Sequence, residues 1–157
     1  MNGEKNIIPR LGRRDFLKAA TASALLISAR PRPANATPES TLDAIGKATG
    51  SREPVMGRVN LTLPEIAENG STVSLKVDVE SPMTTDDYVQ SVHIFADGNP
   101  LPEVADYYFG PHNGVAKLSI RMRLMQTQNV IAVAKMNNGD TYMASRMIKV
   151  TIGGCGG

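Results

Sequence analysis

Val73-Ser74-Leu75-Lys76-Val77-Asp78-Val79-Glu80 is the stretch that decides the fold. Aliphatic side chains occupy every second position and polar ones fill the gaps. That two-residue period places one face of an extended chain in a core and the other in water. Ser81-Pro82 closes the run, because proline has no N–H to give to a ladder. Upstream, Val59, Leu61 and Leu63 alternate with Arg58, Asn60 and Thr62, and Pro64 and Asn69-Gly70 then interrupt the chain. Downstream, strand-like runs follow at 89–96, 104–109, 116–124, 130–136 and 142–152. Turn-forming clusters separate them: Asp97-Gly98-Asn99-Pro100, Gly110-Pro111-His112-Asn113-Gly114, and Asn137-Asn138-Gly139-Asp140. Asn138-Gly139 between two such runs is a strong hairpin signal. Seven short strands with regular turns predict an all-β fold, an immunoglobulin-like antiparallel β-sandwich. Ahead of them, Pro38 to Ala48 reads as a short N-terminal helix, with Thr37 as its N-cap and Pro38 at its first position.

The 157 residues suit one ordinary domain, and 41% hydrophobic with 20% charged residues is globular rather than disordered composition. A single cysteine excludes a disulfide framework within the chain and any multi-cysteine zinc or iron–sulfur site. Two histidines, His93 and His112, share no ligand spacing, so neither a metal nor a cofactor is expected. His93 lies among Val92, Ile94 and Phe95 and reads as structural, and His112 sits in a Pro/Gly turn. Met122 with Met125, and Met143 with Met147, could suggest soft copper ligation. Met143 and Met147 share a strand face, however, and methionine filling an aromatic-poor core is the preferred reading. Asp86-Asp87 after Thr84-Thr85 reads as a turn rather than a catalytic carboxylate pair.

The first 36 residues read as an export address. Arg13-Arg14 precedes an uncharged Ala- and Ser-rich run over 19–29, the pattern of a twin-arginine (Tat) signal peptide. That run is too short for a membrane span, which takes about 20 apolar residues. Ala34-Asn35-Ala36 is an A-x-A cleavage site, so cleavage between Ala36 and Thr37 is expected, with delivery to the periplasm. The division is then 1–36 signal, 37–152 sandwich and 153–157 arm. The signal holds seven of the 17 basic and two of the 15 acidic residues, so the net charge changes from +2 to −3 over the remaining 121 residues. With aromatics at 4% and no Trp, this balance excludes a nucleic-acid role.

The chain closes on Val150-Thr151-Ile152-Gly153-Gly154-Cys155-Gly156-Gly157. Gly153, Gly154, Gly156 and Gly157 bury nothing and lose the most entropy on ordering, which predicts a flexible carrier arm. Such an arm can push a thiol into a narrow cavity on another protein. The glycines supply no base, cation or oxyanion donor, and the nearby terminal carboxylate disfavours a thiolate. The thiol pKa is therefore expected near or above the free-cysteine value of about 8.5. A catalytic cysteine needs a rigidly held activating partner. Cys155 thus reads as a covalent attachment point whose chemistry other proteins supply, with no catalytic residue of its own. The alternative is a structural module whose terminal cysteine forms an intermolecular disulfide, including a disulfide-linked dimer through Cys155. An oxidoreductase acting alone is disfavoured by the missing C-x-x-C motif.

The terminal motif resembles that of the SoxY family, sulfur-carrier subunits of the periplasmic thiosulfate-oxidising Sox system. The resemblance extends across the mature chain. It includes Pro64-Glu65-Ile66-Ala67-Glu68-Asn69-Gly70, Ser81-Pro82-Met83-Thr84, Asp86-Asp87-Tyr88-Val89, His93-Ile94-Phe95-Ala96 and Thr127-Gln128-Asn129-Val130. It implies a heterodimer with SoxZ, which has no export signal of its own, and covalent attachment of thiosulfate-derived sulfur to Cys155. It further implies transient visits to three enzymes. The haem protein SoxAX links thiosulfate to the thiol as Cys–S–S–SO3−, the dimanganese hydrolase SoxB releases sulfate, and the dehydrogenase SoxCD, where present, oxidises the remaining sulfur. The carrier itself is implied to have no metal and no turnover.

Overall fold

Alternation of burial along Val73–Val79 gives the fold its centre. In the computed structural model Val73, Leu75, Val77 and Val79 are buried, and the residues between them reach solvent. The structure describes residues 36–51 and 53–153, which fall within one compact unit. Helix α1 (Pro38–Thr49) comes first, then nine strands: β1 (Val55–Met56), β2 (Val59–Thr62), β3 (Ile66–Asn69), β4 (Val73–Val79), β5 (Val89–Ala96), β6 (Glu103–Tyr108), β7 (Ala116–Met122), β8 (Gln128–Met136) and β9 (Thr141–Ile152). A 3-10 turn at Pro111–Asn113 carries the exposed His112.

Two sheets face each other. The smaller is β2-β4-β7, antiparallel throughout. The larger runs β1-β9-β8-β5-β6, with β3 also on β9. Val73, Leu75 and Val77 of the small sheet pack in one cluster with Val92, Ile94, Val130, Ala132, Ala134 and Ile148 of the large one. This is the layered core expected of a sandwich. On the opposite face of the large sheet α1 sets Ala44 and Ile45 against Phe95 and Val133, a second and smaller core.

The helix begins where its caps dictate. Thr37 Oγ1 accepts from the Ser40 amide (3.2 Å) and Ser40 Oγ accepts from the Thr37 amide (2.7 Å). This reciprocal box satisfies two of the amides that a helix start leaves open. The far end closes at Gly50, whose φ of +83° suits a glycine C-cap. Asn138-Gly139 forms the β8–β9 hairpin, with Gly139 at φ +92° donating to the Met136 carbonyl.

Two differences from the sequence reading have physical causes. β1 and β3 are additional strands, and both pair parallel with β9, so the large sheet is mixed rather than purely antiparallel. β3 lies where Pro64 and Asn69-Gly70 suggested only a break. It forms because its backbone finds an open edge on β9, not because its side chains alternate. Met83, Met122 and Met136 are core residues, as methionine packing suggested. Met147, by contrast, is 69% exposed. It shares an outer face with Met143, but only Met143 packs against the helix-side core.

Candidate functional site

β9 is the element that brings the chain to its last described residue, and its end is held from two sides. β3 runs parallel to it with Ile66 opposite Lys149, Ala67 opposite Val150 and Asn69 opposite Ile152. On the other flank the Val150 amide donates to Thr127 Oγ1 (3.0 Å). Gly70 ties both flanks together: its N–H donates to the Ile152 carbonyl (2.7 Å) and its carbonyl accepts from the Leu124 amide (2.8 Å). The Asn69-Gly70 turn, closed by the Ser71 amide donating to Asn69 Oδ1, thus ends β3 and buttresses the exit of β9.

Gly153 follows immediately. A Cβ built there would overlap the Met125 carbonyl oxygen, so no other residue fits this backbone path without a shift. Gly153 therefore sets the direction in which the chain leaves, in addition to the flexibility read from its composition. Gly154, Cys155, Gly156 and Gly157 lie outside the described residues, as do Arg13 and Arg14.

Beside this exit Asn99, Pro100, Leu101, Arg123 and Met125 line an open groove of about 350 Å³. Its two walls come from distant turns, and the Asn99 amide joins them. Asn99 Oδ1 accepts from the Met125 amide (3.0 Å) and from Gln128 Nε2 (3.0 Å), while Nδ2 donates to the Arg123 carbonyl (3.0 Å). Gln128, buried, also accepts from the Gly98 amide through Oε1 (2.7 Å). Asp97 fixes the same corner by accepting from both the backbone and the side-chain amide of Asn129. None of these links was read from the sequence. The only signal was a polar, turn-rich composition at 97–100 and 126–129.

The expected cleavage pair lies at the start of the helix. Ala36 donates its amide to the Asn99 carbonyl (2.8 Å), and Thr37 is the N-cap. A cut between them would leave the Thr37 nitrogen beside Ser40 Oγ.

Two other constellations invite a catalytic reading. His93 Nδ1 donates to Asp106 Oδ1 (2.6 Å), and in the neutral ring Nε2 accepts from the Ser91 hydroxyl (2.9 Å). The order nucleophile, base, orienting carboxylate is that of a hydrolase triad. Ser91 and His93 are each only 3% exposed, so no substrate carbonyl reaches the hydroxyl. The chain of bonds instead satisfies two buried polar side chains, consistent with a structural His93. Asp86 and Asp87 are not a working pair either. The Asp87 carboxylate takes both guanidinium nitrogens of Arg58, and its amide donates to Thr84 Oγ1 within a turn. The hydrogen bond to Asp87 holds the Arg58 pKa above its already high ordinary value, against a smaller opposing effect of burial. Arg58 also lies over the Tyr142 ring. Among the described residues no group of three His, Cys, Asp or Glu side chains is gathered to hold a metal, and no helix is long and apolar enough to cross a membrane.

The family model for the sulfur oxidation protein SoxY matches residues 45–155. Among solved structures, the sulfur carrier protein SoxY from Chlorobium limicola f thiosulfatophilum is 34% identical, with a TM-score of 0.59, over 70% of this chain and 94% of that one. A superoxide reductase (neelaredoxin) variant from Ignicoccus hospitalis superposes with a TM-score of 0.54 at 18% identity, over 69% of this chain and 86% of that one. A putative superoxide reductase from Thermotoga maritima gives 0.50 at 23% identity, over 63% and 88%. The latter two likenesses show a shared sandwich fold alone. No curated protein matches the chain.

Proposed function

The chain belongs to the SoxY family of sulfur-oxidation proteins, carriers rather than enzymes, and from that membership we propose that it carries thiosulfate-derived sulfur covalently on Cys155. The observation that supports this most directly is where the match ends. The family model extends along β9 and through the glycines to residue 155, the single cysteine of the chain. A strand clamped on both edges and a glycine that fits against Met125 set a fixed base for the segment that bears the thiol.

The chemistry divides between carrier and partners. Loading forms a bond between the Cys155 sulfur and the outer sulfur of thiosulfate, giving Cys–S–S–SO3−. The thiol proton goes to solvent and two electrons pass to the haem protein SoxAX. Hydrolysis by SoxB then consumes one water, releases sulfate and leaves a persulfide on the carrier. SoxCD, where present, oxidises that remaining sulfur. Tethering keeps a reactive intermediate from diffusing away and raises its effective concentration at each enzyme. The protein itself binds no cofactor in this scheme.

Arg13-Arg14 directs Tat export, a cut after Ala36 releases the mature chain into the periplasm, and SoxZ is the heterodimer partner that travels with it. Intact-mass measurement of protein from thiosulfate-grown cells tests the reading. Sulfur adducts are expected on the wild type and absent from Cys155→Ser, whose unfolding midpoint stays unchanged. An unmodified Cys155 during active sulfur oxidation, or full thiosulfate oxidation by Cys155→Ser, overturns it and favours a structural disulfide instead.

A further inference from the structure

The outer face of the small sheet pairs its charges toward one end and leaves them unpaired toward the other. Ser74, Lys76 and Asp78 on β4, and Lys117, Ser119 and Arg121 on β7, alternate with core residues and point away from the core. At one end Asp78 stands opposite Lys117 and binds it at 2.7 Å, while Asn60 Nδ2 donates to Glu80 (3.1 Å). Opposite charges in facing positions stabilise a solvated sheet face. At the other end Lys76 stands opposite Thr62 on one side and Ser119 on the other, and Arg121 stands opposite Ser74. Among the described residues neither Lys76 nor Arg121 forms an ion pair. Two cations thus occupy diagonal corners of a four-residue square, about 7–8 Å apart, with serines at the other corners. Departures from local consistency of this kind gather at functional sites.

The square is also a depression. The two serines are short, and Ser74, Lys76, Ser119, Ile120 and Arg121 line a shallow hollow of about 490 Å³. It offers the donors that a doubly charged tetrahedral anion needs: two hydroxyls, an ammonium and a forked guanidinium. Lysine and arginine are long enough to lean in from opposite corners, so each can place a charge-assisted hydrogen bond on a different oxygen. No carboxylate lines the hollow, and the neighbouring Asp78 is already bound to Lys117.

We propose that this hollow on the outer face of β4 and β7 binds a divalent tetrahedral oxyanion, with Lys76 and Arg121 on its charge and Ser74 and Ser119 donating to its oxygens. Sulfate and thiosulfate are the members of that class that the carrier reaction releases and consumes, and this choice of anion rests on the carrier reading of Cys155. The site lies on the opposite sheet from β9 and holds free anion, not a covalent adduct. An occupied site removes the repulsion between two cations, so the anion stabilises the fold that binds it.

Amide NMR spectra of the isotope-labelled full chain test the proposal, with sodium sulfate or sodium thiosulfate titrated against sodium chloride at equal ionic strength. Saturable shifts are expected at the amides of Ser74, Lys76, Ser119 and Arg121. The dissociation constant should be on the order of a few millimolar, as suits two solvated charge-assisted contacts. Lys76→Gln and Arg121→Gln should each weaken binding about fivefold, whereas Lys47→Gln on α1 should leave it within about twofold. These three side chains are exposed, so the variants are expected to fold. Urea unfolding gives a second readout, because sulfate should raise the midpoint of the wild type more than that of Arg121→Gln. Shifts that chloride reproduces, or that do not saturate, overturn the proposal. So does a dissociation constant that neither Lys76→Gln nor Arg121→Gln changes beyond the effect of Lys47→Gln. Hydrogen phosphate is compared in the same way, and its binding while sulfate and thiosulfate do no better than chloride overturns the assignment to sulfur oxyanions. None of these outcomes depends on Cys155. A Cys155 found unmodified in thiosulfate-oxidising cells would sink the carrier reading and leave the binding measurement standing.

Discussion

Gln128 is the side chain on which the corner beside the arm depends, and replacing it separates packing from hydrogen bonding. It is 5% exposed, accepts from the buried Gly98 amide, and donates to Asn99 Oδ1 and the Gln126 carbonyl. Gln128→Met keeps length and volume but strands the Gly98 N–H, at a cost of about 1–3 kcal/mol. The two acceptors lose less, since Asn99 Oδ1 keeps the Met125 amide and Gln126 is exposed. Gln128→Ala adds the loss of a buried methylene and the space of the amide, about 1 kcal/mol more. Urea unfolding of both variants should lower the midpoint in that order while leaving the slope with denaturant unchanged. Gln128→Glu adds a pH signature. One carboxylate oxygen still accepts from Gly98, but the other faces two acceptors, which raises the folded-state pKa above the ordinary glutamate value of about 4.3. Below that value the neutral acid donates as the amide did, so the variant differs little from wild type. Above it, the loss grows as pH rises, until the folded-state pKa is passed. A Gln128→Met variant within about 0.5 kcal/mol of wild type would refute the reasoning, because the Gly98 amide would then have another partner.

Two further outcomes follow from the geometry. Gly153→Ala must push the end of β9 away from the Met125 carbonyl, loosening the Gly70–Ile152 and Thr127–Val150 bonds. The expected cost is about 1–2 kcal/mol, read as lost amide hydrogen-exchange protection confined to Gly70, Val150 and their neighbours, together with slower loading of Cys155 in a reconstituted thiosulfate-oxidising assay. His93→Phe keeps a ring in the buried site but leaves the Ser91 hydroxyl without its partner, for a loss of about 1–3 kcal/mol. Adding Ser91→Ala should recover much of that loss, and a double-mutant cycle in denaturant melts that shows simple additivity would contradict the assigned bond.

Those parts of the fold governed by side-chain periodicity were legible before any coordinates. The alternation at Val73–Val79, the Asn138-Gly139 hairpin and the Thr37 cap each express a local rule, and each is met in the structure. β1 and β3 were missed because they are two and four residues long and mostly exposed, and only their backbone bonds to β9 define them. Met147 was misplaced because strand parity says which face a residue takes, not how far a covering helix extends. The SoxY resemblance came from the terminal glycines and cysteine, which carry chemistry by composition alone. The groove could not be read this way. Asn99 and Arg123 are 24 positions apart, and what brings them together is a set of side-chain hydrogen bonds from Asn99, Gln128 and Asp97 that bridges two turns.

The pairing of β9 also has a mechanical meaning. β9 is hydrogen-bonded to β8 along most of its 12 residues and to β1 and β3 on its other edge. A tug on the segment beyond Gly153 therefore runs along the strand axis. It loads these bonds in shear and together, instead of peeling them one at a time. If Cys155 carries sulfur as proposed, an enzyme that grips the thiol can pull hard and then let go without unravelling β9. On that reading the sandwich is an anchor plate for a tether.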